Sequence, residues 1–208
     1  MSDHLYPGGP ADHTPAVPPA VTETTPWNVP NALTAFRIVL VPVFAWMQLS
    51  HPDDAWWRFW TAVVFLVAIL TDTADGYLAR RLNIITRFGK LADPIADKAL
   101  TGMAFIGLSI NGELWWWVTI AILLREWGIT VMRFVVLRYG VMAAGRGGKT
   151  KTVAQAVAVI LYLLPLPEWA QPVAVVVMAI AFALTILTGL DYIRDAVRLR
   201  RGGGSERP

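Results

Sequence analysis

The sequence predicts an all-α, polytopic integral membrane protein of six transmembrane helices with both termini cytoplasmic. Three observations predict it: an apolar composition, six long apolar segments set apart by breakers, and a one-sided distribution of basic residues. Of 208 residues, 55% are hydrophobic and only 16% charged, against roughly 25% charged in an average globular protein. There is no cysteine, which excludes disulfide frameworks, thiolate catalysis and cysteine metal sites.

The apolar segments span 33–50, 56–79, 94–111, 114–138, 151–167 and 170–193. Each is near the about 20 residues that a helix needs to cross the hydrocarbon core. His51-Pro52-Asp53-Asp54, Asn111-Gly112-Glu113, Gly145 to Gly148 and Pro165-Leu166-Pro167 interrupt them. Trp56, Trp57, Trp115, Trp116, Trp117 and Trp169 stand beside these breaks, where amphipathic rings favour the headgroup layer. A soluble bundle would need polar helix faces that these segments mostly lack.

Lys and Arg give the orientation. Arg80, Arg81, Arg87 and Lys90, then Arg138, Arg146, Lys149 and Lys151, then Arg194, Arg198, Arg200 and Arg201 fall on one set of connections, and Arg58 alone on the other. The positive-inside rule makes the first set cytoplasmic. Because basic residues end apolar runs rather than interleave with exposed aromatics, no nucleic-acid partner is expected. Residues 1–26, rich in Pro, Ala, Thr and Gly, are expected to form a disordered tail, since they bury too little apolar surface to offset ordering entropy. They lack the basic start and apolar core of a signal peptide. A membrane domain over 27–198 and a flexible basic tail over 199–208 complete the organisation.

Four aspartates interrupt this pattern at the end of the second segment and the start of the third: Asp72, Asp75, Asp93 and Asp97. Carboxylates at the ends of apolar spans are expensive and call for a functional reason. At about 100° per residue, Asp72, Asp75, Gly76 and Ala79 share one helix face. Asp93 and Asp97 are one turn apart, and Pro94 suits a first helical position with Asp93 as N-cap. A hinge at Gly89 would set the two helices antiparallel, with the pairs facing. Carboxylates so close repel in a low dielectric and stay ionised together only with cations between them. Oxygen-only ligands select a hard ion such as Mg²⁺ or Mn²⁺. Gly76 and Ala79 leave flat surface beside the cluster, and Arg80 is placed to meet a phosphate. Capping, with pairing to Arg80, Arg81, Arg87 and Lys90, accounts for Asp93 and one pair, but not for all four spacings.

The run Asp72-x2-Asp75-Gly76-x2-Ala79-Arg80-x8-Gly89-x3-Asp93-x3-Asp97 resembles the signature of the CDP-alcohol phosphotransferase family at all eight positions, over 26 residues. The resemblance implies two divalent ions, Mg²⁺ or Mn²⁺, held by Asp72, Asp75, Asp93 and Asp97, with Asp97 also the general base. It implies a CDP-lipid contact through Asn31, Thr34, Asp75, Gly76, Ala79, Arg80, Thr86 and Gly89, and a homodimer in the cytoplasmic membrane whose active site faces the cytoplasm. For Thr34 and Thr86 a helix cap and a loop hydroxyl are equally open readings. The other reading of the carboxylates, a divalent-cation transporter, would call for inverted repeats and helices broken at the midplane, and the sequence has neither.

Similarity beyond the signature extends over most of 28–195 and resembles a branch of the family that transfers a phosphatidyl group from CDP-diacylglycerol to glycerol 3-phosphate, giving phosphatidylglycerol phosphate and CMP. Asn28-Val29-Pro30-Asn31-Ala32-Leu33-Thr34-x2-Arg37, the block from Gly89 to Thr101, Arg125-Glu126 with Arg133, and Gly148-Lys149-Thr150-Lys151-Thr152 with Gln155 carry that resemblance. Inositol 1-phosphate or another polyol is the alternative acceptor. Arg125 and Glu126 lie well inside the fourth segment, where charges face a polar interior. Glu126 and Arg133 are seven apart on one face, which predicts an internal pair. Arg125, Arg133, Lys149 and Lys151 are the candidate ligands of the acceptor phosphate. Lys149 and Lys151 keep a second reading as positive-inside residues touching anionic lipid.

Overall fold

The computed structural model describes the backbone over residues 29–82, 87–136 and 147–202, and side chains over 32–74, 95–132, 148–194 and 196–197. The expected N-terminal tail lies outside the described residues, as do the side chains of Asn31, Asp75, Gly76, Ala79, Arg80, Thr86, Gly89, Asp93 and Arg133. The described chain is all-helical: α1 Val29–Ser50, α2 Ala55–Leu82, α3 Arg87–Ile110, α4 Trp116–Val136, α5 Gly147–Leu163, a 3₁₀ turn Glu168–Ala170, and α6 Gln171–Gly202. Each predicted apolar segment coincides with one helix. Among the described residues three stretches are long and apolar enough to cross a membrane: Ala32–Ser50, Ala55–Ala74 and Glu168–Arg194. α5 is short at 17 residues, and α3 and α4 carry the Asp97-Lys98 and Arg125-Glu126 charges within their length.

Local chemistry sets several boundaries. Asp54 caps α2, its Oδ1 accepting from the backbone N–H of Trp56 at 2.8 Å and of Trp57 at 3.2 Å, which satisfies two orphan donors of the first turn. α3 ends in a Schellman turn: Gly112 takes φ +75°, its N–H donates to Ser109 O at 3.2 Å, and that of Glu113 to Leu108 O at 2.9 Å. That left-handed position is the reason for a glycine there. The start of α3 corrects the sequence reading. The helix begins at Arg87, so Gly89 is not a hinge, and Asp93 and Pro94 lie within the helix rather than at its cap.

The main packings are α5 on α6, α1 on both α2 and α3, and α4 on α6. Phe44, Phe65, Leu100, Phe105, Leu108 and Ile122 form the centre of the core, with the Phe44 and Phe65 rings 5.4 Å apart. Outward faces stay apolar at mid-helix: Val39 is 62% exposed, Leu124 70% and Val153 63%. Surface of that kind is costly in water and at ease in lipid. Inside, polar side chains join helices as small residues let them approach. Gln48 Nε2 donates to Ala104 O at 3.0 Å, and Gln155 Nε2 to Thr185 Oγ1 at 2.9 Å. Gly107 is required by the first of these contacts, since a Cβ there would stand 2.3 Å from the Gln48 amide.

Candidate active site

Two of the four predicted carboxylates have described side chains, and they come from neighbouring helices. Asp72 lies on α2, and its Oδ1 is 2.6 Å from Arg37 Nη1 of α1; Arg37 is 1% exposed and Asp72 42%. Asp97 lies on α3, in the combined electrostatic field of Asp72, Lys98, Arg37 and Glu126. Asp72 and Asp97 therefore lie within electrostatic reach of one another. Among the described residues there is no cluster of three carboxylate or imidazole groups; Asp75 and Asp93 fall outside that set. The donors that are described are all oxygen and lie close to buried cations. That chemistry fits a hard divalent ion and not a soft one.

Arg37 closes the entry segment that carries the family resemblance, and its pairing with Asp72 is a contact that the sequence did not predict. Its signal is visible: it is the lone charge in the apolar stretch 33–50. A cation there needs a partner, and Asp72 is that partner. Thr34, one turn before it, is also buried.

The acceptor candidates separate into two groups. Lys151, at the start of α5, is 4% exposed and donates a short hydrogen bond to Glu126 Oε1. Arg125 Nη1 is 3.2 Å from the same oxygen. Lys98 Nζ, from α3, donates to the Glu126 backbone carbonyl at 3.2 Å and stands 3.8 Å from Oε2. One carboxylate thus gathers three cations from three helices. The pair predicted between Glu126 and Arg133 falls on a side chain outside the described residues; within them Glu126 pairs with Lys98, Arg125 and Lys151. Lys149 is exposed and has no ion pair among the described residues, so only Lys151 of the two lysines joins the cluster.

α6 fixes Arg125 from behind. Its Nη2 donates to Thr188 Oγ1 at 2.8 Å, and its guanidinium lies 5.9 Å from the centre of the Tyr192 ring, within the range of a cation–π contact. Gly189 leaves room for it, since a Cβ there would be 3.1 Å from Arg125 Cγ. A cavity of about 30 Å³ between α3, α4 and α5 is lined by Asp97, Lys98, Glu126, Lys151, Thr152 and Gln155 among others. It sets a candidate base beside two cations.

Comparison with known proteins bears on this geometry. A family model described as CDP-alcohol phosphatidyltransferase matches residues 27–187. A probable phosphatidylglycerophosphate synthase of Mycobacterium tuberculosis is 49% identical over 174 residues, covering 82% of each chain. A CDP-diacylglycerol–glycerol-3-phosphate 3-phosphatidyltransferase of Bacillus subtilis is 37% identical over 182 residues, 80% of this chain and 93% of that one. A protein of the same description from Escherichia coli K12 is 36% identical over 177 residues, 82% of this chain and 95% of that one.

Proposed function

We propose, from the premise that the chain belongs to the CDP-alcohol phosphatidyltransferase family, that it transfers the phosphatidyl group of CDP-diacylglycerol to glycerol 3-phosphate, releasing CMP. The names of the relatives support the substrates. The observation that carries the acceptor is the cavity that joins Asp97 to Lys98 and Lys151. A hydroxyl oxygen of the acceptor attacks the phosphorus that bears the diacylglycerol. The new P–O bond forms as the P–O bond to CMP breaks, and the hydroxyl proton passes to the Asp97 carboxylate. Buried Lys151 and Arg125 hold the acceptor's phosphate so that its hydroxyl points at the base; positioning of this kind contributes much of the rate in phosphoryl transfer.

Asp72, Asp75, Asp93 and Asp97 would hold two divalent ions, Mg²⁺ or Mn²⁺, which when bound neutralise the diphosphate. Arg37 holds Asp72 in place for that role. Asn31, Thr34, Gly76, Ala79, Arg80, Thr86 and Gly89 would receive the CDP moiety, with Asp75 beside it. The six helices are read as six spans with both termini cytoplasmic. Basic residues then place the site at the cytoplasmic face of the cell membrane, where CMP is released. A homodimer belongs to the same reading.

The test uses purified protein in detergent with CDP-diacylglycerol, Mg²⁺ or Mn²⁺, and labelled acceptors, following CMP release. Glycerol 3-phosphate is expected to be the preferred acceptor. Equal or better turnover of inositol 1-phosphate would overturn the acceptor assignment, and no CMP release with any acceptor would overturn the transfer itself.

A further inference from the structure

Two cavities lie at the end of the bundle where α2 begins, away from Asp72 near that helix's other end, and the proposed reaction uses neither. Each holds about 370 Å³, room for part of a lipid-sized ligand. They adjoin, because Glu113, Tyr162 and Val175 line both. Their chemistry differs. One has Arg58, Glu113, Tyr162 and Gln171 on its walls; the other adds only apolar and aromatic side chains to the shared three, among them Trp117, Met178 and Phe182. Trp115 and Trp169 stand exposed at the same end, which marks the level of the lipid headgroups. The terminal donors of Arg58 are all committed, Nη1 to Pro52 O and Glu113 Oε1, Nη2 to Glu113 Oε2 and Tyr162 O. Each Glu113 oxygen takes one of these bonds and can accept another, so this wall offers a charged acceptor. The connections at this end carry the same sign: Asp53, Asp54, Glu113 and Glu168 stand against Arg58 alone, and the charge of Asp53 acts on Arg58.

We propose that the two cavities form one site for a membrane lipid whose head carries an ammonium group. The head lies in the polar cavity with its N–H groups donating to Glu113, and an acyl chain lies in the apolar one. A charged wall beside an apolar one suits an amphipathic molecule, and suits neither a soluble ion nor a bare hydrocarbon. The sign of the charge selects the amine. An anionic head without an ammonium would bring its phosphate to an arginine with no terminal donor left, and would face Glu113 and Asp53. A phosphate that accompanies an ammonium can turn to the Tyr162 hydroxyl and the Gln171 amide, both able to donate. A second copy of the chain fits this face less well, since an isologous contact would set two acidic ends against one another. The bound lipid joins the α3–α4 turn to α5 and α6, and stabilises that end of the bundle by binding the folded chain alone. The site is independent of the acceptor's identity.

The experiment titrates the full chain, purified in detergent and stripped of lipid, with phosphatidylethanolamine or phosphatidylglycerol of identical acyl chains. Native mass spectrometry reads the bound lipid and the oligomeric state together. Phosphatidylethanolamine is expected to bind about tenfold tighter, the effect of one charge-assisted hydrogen bond. Glu113→Gln leaves an acceptor for Arg58 but removes the charge, and is expected to bring the two lipids within about twofold of one another. Asp53→Asn should leave the preference in place. Ala179→Phe fills the apolar cavity that Ala179 lines, and is expected to weaken both lipids about tenfold with the lipid-free apparent Tm unchanged. Equal affinity of wild type for the two lipids, or tighter phosphatidylglycerol, overturns the proposal. So does a preference that survives Glu113→Gln, which would mark the diffuse charge of that end, and so does binding that Ala179→Phe leaves intact. A dimer that Ala179→Phe separates would put a second copy in the groove and overturn it as well. Should Glu113→Gln fail to fold, the wild-type preference and Ala179→Phe decide.

Discussion

Each end of the helix bundle carries a cluster built on one glutamate, and the two are balanced differently. At one end Glu113 meets Arg58 in a bidentate pair, Nη1 to Oε1 at 2.7 Å and Nη2 to Oε2 at 2.8 Å. Arg58 also donates to the carbonyls of Pro52 and Tyr162, so one cation closes the start of α2, the α3–α4 turn and the end of α5. Charge there is matched. At the other end Glu126 serves three cations, and Arg125 Nε has no hydrogen-bond partner among the described residues. Asp72 lies fourteen residues beyond Arg58 on α2, about 21 Å along the helix at 1.5 Å per residue. The first cluster ties three element ends together through one bidentate pair, and the second gathers three cations beside a cavity that Asp97 also lines.

That contrast breaks most sharply at Asp97. Asp97→Asn keeps the volume and removes the proton acceptor, and is expected to lower turnover by at least about 100-fold, with little change in the apparent Tm. Single-turnover CMP release in detergent measures the first and thermal unfolding the second. Near-normal turnover would remove Asp97 from the role of base. A smaller effect is expected one helix away. Lys151→Met is expected to raise the glycerol 3-phosphate KM about 10- to 100-fold, and Lys149→Met, at an exposed position, to leave it within about twofold. Equal effects from the two lysines would mean that the subsite is a diffuse basic surface and not a built pocket.

The sequence foretold these elements unevenly. All six helices were legible because apolar runs of membrane length have few alternative structures. The start of α3 was not, because Gly89 and Pro94 read as punctuation, whereas the helix runs through both. Asp72 and Asp97 were legible as costly carboxylates at the ends of apolar segments. Their electropositive neighbours were not: Arg37 reaches Asp72 from α1, and Lys98 and Lys151 reach Glu126 from α3 and α5. Periodicity reports which residues share one helix face, as it did for Glu126 and Arg133. It carries no information on which helices are neighbours. Segments that are apolar on every side give little indication of the face that turns inward.

At the Arg58–Glu113 pair the expected loss is of stability and not of rate. Arg58→Met leaves Glu113 without its cation. Breaking a fully buried pair costs about 3–5 kcal/mol. Arg58 and Glu113 are 22% and 23% exposed, so about 2 kcal/mol is the better expectation once solvent screening is allowed for. The apparent Tm in detergent should fall while KM for both substrates holds within about twofold. Adding Glu113→Leu removes the stranded charge and should recover part of the Tm. A loss of acceptor affinity in Arg58→Met at a temperature where the protein stays folded would show that the two ends are coupled, and the contrast between them would then fail.

The smallest expected effect is the finest test of geometry. Gly189 of α6 gives Arg125 its room: a Cβ would stand 3.1 Å from Cγ and 3.4 Å from Nε. Gly128 has nothing within 4 Å of the corresponding position and serves as control. Both lie inside helices, where glycine to alanine favours the helix by up to about 1 kcal/mol. Gly128→Ala should therefore show unchanged or slightly raised stability and wild-type kinetics. Gly189→Ala pushes Arg125 by a few tenths of an ångström and should raise the glycerol 3-phosphate KM about two- to threefold, since small misplacements of a positioning group already reduce rate and affinity. A rise in KM at an unchanged apparent Tm there cannot come from loosening of the bundle. If KM holds, Arg125 adapts freely, and the acceptor's phosphate is held by Lys98 and Lys151 without it.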